Sequence, residues 1–566
     1  MRPRYDTMSS NEFDDLNESM LRRFYSINPD QATTFGMHDP YDGQLPNGGV
    51  KQLEDTLTLM KEWESRASKV AKSGGLSEDQ RTSLDVLRMC VELQDFAIND
   101  FQEWRMFPEA CEMPGAVLFN MISREYAPYE QRAAWMSSRI EQLPRYLAEF
   151  RTRFEKGARP VKAWTEYAIK TCEGLPGFLD FIVEHSKGKV SPESLEELQR
   201  NVAASKLALA EHLEWLRVLL KESTTDMAMG RKKLEKLLKL RGFSLTSDDM
   251  LALAIKGLEE LKSLRAEAAR RISPSDPSKA LRIIRDDAPA NFDLTLEETR
   301  KEMQKAKNWM VEQGVCTLDY EGDVLVMETP QFMRSGVTSA ALFMPAVFDR
   351  QPHGIYLMTR PDNLEDMKQL FNRAGIVNTT VHEAYPGHYH QGAMSFKKPW
   401  MHQLHLMMLT TDVMVCGYET MEGWAHYCEK MMFERGYEAD DKAYYTMLDF
   451  AIWRACRVVY DISLCRGEAT IEQMVEFFMR ETDSSKETAE AEIIGFSRTP
   501  SYALSYFTGR HLVIQLKEEL KKELGQGFDE KKFHDLMAIN GNLPFHLAMG
   551  AVRKGMGSAI PPRKPL

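Results

Sequence analysis

SLEELQRNVAASKLALAEHLEWLRVLLKES, residues 194–223, sets the expected fold. Its apolar residues recur at intervals of three and four, which places them on one face of an α-helix and charged residues on the other. Ser194 stands three residues before Glu197, a capping-box pattern for a helix start. The same period returns in TSDDMLALAIKGLEELKSLRAEAARRI, residues 246–272, where Ser247 precedes two aspartates. Outward from these stretches, the chain from about residue 10 to 310 reads as successive amphipathic helices. Turn-forming clusters at 28–49, 72–77 and 273–280 separate them.

The pattern changes after about residue 315. TLDYEGDVLVMETP (317–330) alternates β-branched and aromatic residues around a turn-forming Glu-Gly-Asp, and GIYLMT (354–359) is a second short strand candidate. SGVTSAALFMPAVFDRQPHG (335–354) between them ends in a proline-containing loop. Long helices resume from about 364 to 550, interrupted at Pro386-Gly387-His388 and at RTPSY, 498–502. The expected architecture is mainly α, a large helical body around a central cleft with a small β-sheet just before the histidine-rich region. Residues 1–312 form an N-terminal helical scaffold and residues 313–566 a metal-site region, packed as one continuous body.

Composition narrows the function. Of 566 residues, 43% are hydrophobic and 28% charged, the balance of a soluble globular protein. A formal charge of −12 and a pI near 5.7 speak against nucleic acid as a partner, because phosphate neutralisation needs a dense basic surface. No segment has the ~20 consecutive apolar residues of a membrane-spanning helix, so no membrane partner is expected. The first twenty residues hold no apolar signal core, so cytoplasmic residence is expected. Eight cysteines stand singly without a C-x-x-C pair, which signals neither a disulfide framework nor a cysteine zinc site.

Six of the thirteen histidines lie between His382 and His426, and imidazole is the commonest zinc ligand. VHEAYPGHYHQ (381–391) opens with the His-Glu of a zinc-hydrolase helix but carries Pro386 where the second histidine of H-E-x-x-H would stand. In a straight helix His388 lies ~120° round the cylinder from His382, too far to share a metal. Pro386 removes a backbone donor and clashes with the carbonyl of His382, while Gly387 tolerates non-helical dihedrals, so a kink there can turn His388 towards His382. His390 is then a bystander. YETMEGWAHYCEKM (418–431) sets Glu422, His426 and Glu429 on one helical stripe. That stripe is either a solvated acidic face or a carboxylate supply to a two-histidine helix. Gly423 and Trp424 weigh against the first, since an exposed helix gains little from either. TPSYALSYFTGRHL (499–512) spaces Tyr502, Tyr506 and Arg510 by four, a pattern open to core packing or to charge stabilisation near an oxyanion.

Together these stretches resemble the domain-of-unknown-function 885 family, a group similar to the HExxH zinc metallopeptidases of the gluzincin type. The resemblance covers most of the chain. NPDQATTFGMHDPYDGQLP is similar to the family's opening segment, and HEAYPGHYHQ resembles its H-E-x-x-P-G-H-x-x-Q signature. MEGWAHYCE resembles its E-G-W-A-x-Y-x-E segment, while RVVYDISLCRG, PSYALSYFTGR and FDEKKFHDLMAINGNLPFHL resemble its C-terminal motifs. The resemblance implies a zinc site from His382, His388 and Glu422 with Glu383 as general base. It also implies Tyr506 and Arg510 facing the substrate, with Gln391 and Glu429 in supporting positions; His426 and Tyr502 join them as supporting or substrate-contacting candidates on their own helical spacing. The chain departs from the pattern at Cys465, where a histidine is common, and at His426, where many members carry an apolar residue; His426 could add a ligand or only a hydrogen bond. The expected activity is zinc-dependent hydrolysis of an amide bond in a short peptide. The competing classes are a metal-dependent redox enzyme on the same His₂-carboxylate set and a non-catalytic metal- or peptide-binding protein.

Overall fold

The computed structural model describes residues 12–155, 157–334, 337, 339–348, 353–401 and 417–559. Both stretches that set the expectation are helices, Pro192–Glu222 and Ser247–Ile272. In the first, Leu198, Val202, Ser205, Leu209, His212, Leu216 and Leu219 form the buried stripe. Each helix begins differently from expectation. Ser191, not Ser194, caps the first, accepting from the Ser194 amide with Pro192 at the first helical position. Thr246, one residue before Ser247, caps the second in a capping box with Asp249. Local sequence marks both starts within a few residues, but several serines and threonines compete for each cap.

The described residues are mainly helical with one three-stranded sheet. Its strands are β1 (Val324–Glu328), β2 (Ala340–Phe343) and β3 (Gly354–Met358), in the order β1-β3-β2. β1 runs parallel to β3 with Val326 opposite Tyr356, and β2 antiparallel to it with Leu342 opposite Tyr356. The central β3 is buried along its whole length, which accounts for its unbroken apolar run. β2 is a strand that the sequence reading did not separate from the loop containing it. The Glu-Gly-Asp at 321–323 precedes β1 instead of dividing it.

Four helices surround the histidine-rich region: Arg373–Glu383, Tyr418–Glu434, Asp441–Arg466 and Ser505–Leu524. Tyr418–Glu434 and Ser505–Leu524 pack backbone to backbone, Gly423 against Gly509. A Cβ on Gly423 would lie 2.4 Å from the Gly509 carbonyl carbon, so a side chain there would force the helices apart. From the N-terminal half, Ser247–Ile272 packs along Asp441–Arg466. One buried cluster joins Phe24, Trp63, Leu87 and Trp164 to Leu448, Ile452 and Val458. A second contains Phe292 and Met303 together with Tyr356, Tyr385, Tyr389 and Trp424, so both cores extend across residue 312. The seven described cysteines are buried thiols, and Cys416 lies outside the described residues. No helix among the described residues is long and apolar enough to cross a membrane.

Candidate metal centre

The Arg373–Glu383 helix starts at Asn372, whose side chain accepts from the Gly375 amide at 2.9 Å, and it stops at Glu383. Pro386 cannot continue it, since the residue lacks an amide hydrogen and its ring would meet the carbonyl one turn back. The Tyr385–Pro386 peptide bond is cis, and a new helix, His388–Ser395, begins two residues later. Gly387 is required by space: a Cβ there would lie 1.8 Å from the carbonyl oxygen of His382. Its φ of −68° and ψ of −138° are non-helical, as expected, and the close backbone approach adds a second reason for glycine. The turn is held from two sides, by Trp424 Nε1 donating to the Pro386 carbonyl at 2.8 Å and by the Tyr385 hydroxyl donating to Asp323 at 2.7 Å.

This break brings the His382 and His388 rings to 4.7 Å between centroids at 86°. Glu422 reaches them from the neighbouring helix, with Oε2 3.1 Å from His388 Nε2 and 3.5 Å from His382 Nε2. Ligand atoms of all three residues lie within 4.8 Å of one another, and among the described residues they form the His/Cys/Asp/Glu group placed to hold a metal ion. Zinc–ligand bonds of ~2.0–2.1 Å in a tetrahedron set its ligand atoms about 3.4 Å apart, close to these separations. The donor set fits zinc.

The electrostatics favour a cation among the three groups. Burial pushes the Glu422 carboxyl up, but His388 and His382 outweigh it and hold it well below the usual carboxylate range. Burial and the Arg454 charge push His382 down, and Glu422 and Glu429 more than reverse this, lifting the imidazole to about 9. Glu429 Oε1 lies 2.7 Å from His382 Nδ1, which fixes the tautomer that leaves Nε2 free for a ligand bond. Glu429 is itself held by Asn378 at 3.0 Å and Arg454 at 2.9 Å.

The remaining expected residues divide. Glu383, next to the first histidine, is half-buried and carries no hydrogen bond or ion pair among the described residues. Tyr502 donates to Glu422 Oε1 at 2.8 Å, and the Tyr506 hydroxyl donates to that of Tyr502 at 3.2 Å. Burial, with the Glu422 charge added, holds both phenols above their usual range, so they are neutral donors. Arg510 lies one turn beyond Tyr506 and donates from Nη1 to His426 Nε2 at 3.3 Å. Burial and that guanidinium keep His426 neutral and occupy its Nε2, so it stands as a hydrogen-bond partner outside the three-residue group. Gln391, expected beside the site, packs against Gly541, and its Nε2 has no partner among the described residues. Cys465 does not touch the three residues: its thiol donates to Asp461 at 3.3 Å, and Asp461 accepts from the Ser501 and Leu504 amides at 2.9 and 3.0 Å. The Asp461 carboxylate thereby pins the turn that presents Tyr502.

The family described as "Bacterial protein of unknown function (DUF885)" matches residues 29–552. The chain belongs to the DUF885 family. No curated protein matches it. Two solved structures share the fold of this DUF885 chain. One is described as "a putative lipoprotein of unknown function" from Shewanella oneidensis, 20% identical, with TM-score 0.76 over 97% of this chain and 100% of that one. The other, described as "the putative lipoprotein" from Colwellia psychrerythraea, is 19% identical, with TM-score 0.80 over 96% of this chain and 99% of that one.

Three contributors to the DUF885 site escaped the sequence reading: Asn378, Arg454 and the indole of Trp424 as the clamp on Pro386. A signal existed for Arg454. It shares the otherwise apolar stretch AIWRACRVVY with Arg457, and charged residues in a buried helix need partners. Arg457 pairs with Glu492 at 2.7 Å and stacks 4.3 Å over the Tyr506 ring. Asn378 carries no comparable mark, because its position one turn before His382 matters only once Glu429 arrives from another helix.

Proposed function

We propose that this DUF885 chain is a zinc-dependent hydrolase that cleaves an amide bond in short peptides, a relative in chemistry of the gluzincin-type HExxH metallopeptidases. The observation that carries the reading is the convergence of His382, His388 and Glu422 beside a carboxylate, Glu383, that has no ion-pair or hydrogen-bond partner among the described residues. A purely structural metal site has no use for such a group. His382, His388 and Glu422 would hold the ion, a three-residue donor set of the kind that catalytic zinc uses. When bound, zinc supplies Lewis acidity towards the scissile carbonyl and a water that ionises near neutral pH.

Glu383 takes the proton of the attacking water and passes it to the leaving amine, the step in which the amide C–N bond breaks. Tyr502 holds one oxygen of Glu422 and leaves the other to face the histidines. Tyr506, once its hydroxyl turns from Tyr502 to the substrate, is the donor for the negative charge that develops on the carbonyl oxygen, and Arg510, one turn on, adds positive potential. Spacing the second histidine six residues after the first distinguishes this site from H-E-x-x-H, and the 384–387 turn brings the two rings to 4.7 Å between centroids.

The test is substitution with metal analysis and a screen of short peptides with free and blocked termini. Glu383→Gln is expected to keep zinc and lose hydrolysis, whereas His382→Ala and Glu422→Ala lose the metal. Full activity in Glu383→Gln refutes the base. Iron in the purified protein, with no hydrolysis of any peptide, refutes the reaction class.

A further inference from the structure

We propose that Arg457 is a positioning residue for the hydrolysis, its guanidinium holding the Tyr506 ring in place beside the metal ligands so that the phenol can serve the developing oxyanion. The inference rests on the hydrolytic reading, in which Tyr506 is that donor. It extends the reading to a residue that makes no hydrogen bond or ion pair with His382, His388 or Glu422 among the described residues.

Arg457 lies on the Asp441–Arg466 helix, three residues beyond Arg454. Its guanidinium carbon stands 4.3 Å from the centroid of the Tyr506 ring and 4.3 Å from that of Phe496. Phe496, on the Lys486–Ser497 helix, meets the Tyr506 ring edge-on at 6.1 Å and stacks on Tyr502 at 5.5 Å. The Tyr506 ring lies 6.5 Å from that of His382, inclined by only 10°. One cation therefore touches the ring that stands next to the first metal ligand.

The guanidinium is itself fixed. Nε donates to Glu492 Oε1 at 2.7 Å and Nη2 to Oε2 at 3.2 Å, while the Tyr460 hydroxyl donates to the same carboxylate at 3.0 Å. Two parallel bonds set the plane of the fork as well as its place. Joining the two helices through Glu492 needs only a positive charge, which a lysine would supply; a flat cation against an aromatic ring needs arginine.

The consequence falls on the phenol. Its hydroxyl donates to Tyr502 at 3.2 Å and must turn towards the substrate, a rotation about one bond if the ring stays where it is. A ring free to shift follows the hydroxyl and misplaces the donor, and small misplacements of a catalytic group are costly. Burial and the Glu422 charge push the Tyr506 phenol up, and the Arg457 charge opposes them, which makes the phenol a better donor.

The test is a double-mutant cycle on the short peptide that the unsubstituted chain hydrolyses fastest in the screen with free and blocked termini. Arg457→Met is expected to lower kcat about tenfold at unchanged KM and full zinc content. Tyr506→Phe is expected to lower kcat about a hundredfold, and Arg457→Met added to it to cost about twofold at most, because Arg457 acts through the phenol. Arg457→Met combined with Glu492→Met removes the cation without leaving a buried carboxylate alone, and keeps the test decisive where Arg457→Met by itself fails to fold; it is expected to show the same loss and the same dependence on Tyr506. Equal losses from Arg457→Met with and without the Tyr506 hydroxyl, an unchanged kcat, or a kcat that falls only in step with zinc content overturns the proposal while leaving the hydrolase standing. No hydrolysis by the unsubstituted chain refutes the hydrolytic reading and the proposal with it.

Discussion

Replacing Glu429 with glutamine tests the metal centre through a residue that the proposed ligands need but that does not bind the ion. Glu429 Oε1 accepts from His382 Nδ1 at 2.7 Å, while Arg454 and Asn378 donate to the same carboxylate at 2.9 and 3.0 Å. All three neighbours are donors in the metal-binding tautomer, so a carboxylate satisfies them and an amide cannot. Arg454 Nη2 also stands 3.2 Å from His382 Nδ1. Glutamine keeps one acceptor oxygen for three donors, so Nδ1 is free to accept from Arg454 instead, which puts the imidazole proton on Nε2 and blocks the ligand bond. Loss of such a partner typically costs ten- to a hundredfold in metal affinity, about 1.4–2.8 kcal/mol. Zinc affinity of Glu429→Gln, measured by competition with a chromogenic chelator at pH 7.5 and low salt, is expected to fall by that factor. Circular dichroism before and after chelation checks that the fold is retained. Zinc binding within about twofold of the unsubstituted chain would refute the tautomer argument.

Gly387→Ala is expected to lower thermal stability and zinc content together, by 1–3 kcal/mol or more as for other overpacked sites, because its Cβ would meet the His382 carbonyl oxygen; a full complement of zinc in this variant sinks the spatial account of the turn. Trp424→Phe leaves the Pro386 carbonyl without its donor and is expected to cost about 1–3 kcal/mol, read from urea unfolding of the metal-free protein. His534 is buried between the Val315 carbonyl and the Tyr427 hydroxyl, and burial lowers its imidazole to about 4. The unfolded chain takes up that proton near pH 6.5 and the folded one only near 4, so stability is lost as pH falls through this window, by about 3 kcal/mol. The pH dependence of unfolding in His534→Gln is expected to be correspondingly flatter, and parallel profiles would count against the assignment.

Helices with a three- and four-residue apolar period were legible throughout, because each presents its own buried face whatever it packs against, as Leu198 through Leu219 do. β2 was not legible, since four half-buried residues ahead of Pro345 show no alternation long enough to register. Among site residues, the local ones stood out by chemical type: histidines clustered within a few dozen positions, and a glutamate beside the first. Gln391 and His426 share that neighbourhood, but one packs against Gly541 and the other bonds Arg510.

By itself, then, the sequence determined a mainly helical protein, a break at Pro386 and Gly387, and a short list of side chains able to bind a metal. Tertiary structure alone decided which of them meet. The direction of the 384–387 turn depends on Trp424 and Asp323, from elements distant along the chain. The approach of Glu422 depends on Gly423 lying against Gly509 in another helix. Periodicity records which face of a helix is buried; it does not record what lies against that face, and the metal centre is built from those contacts.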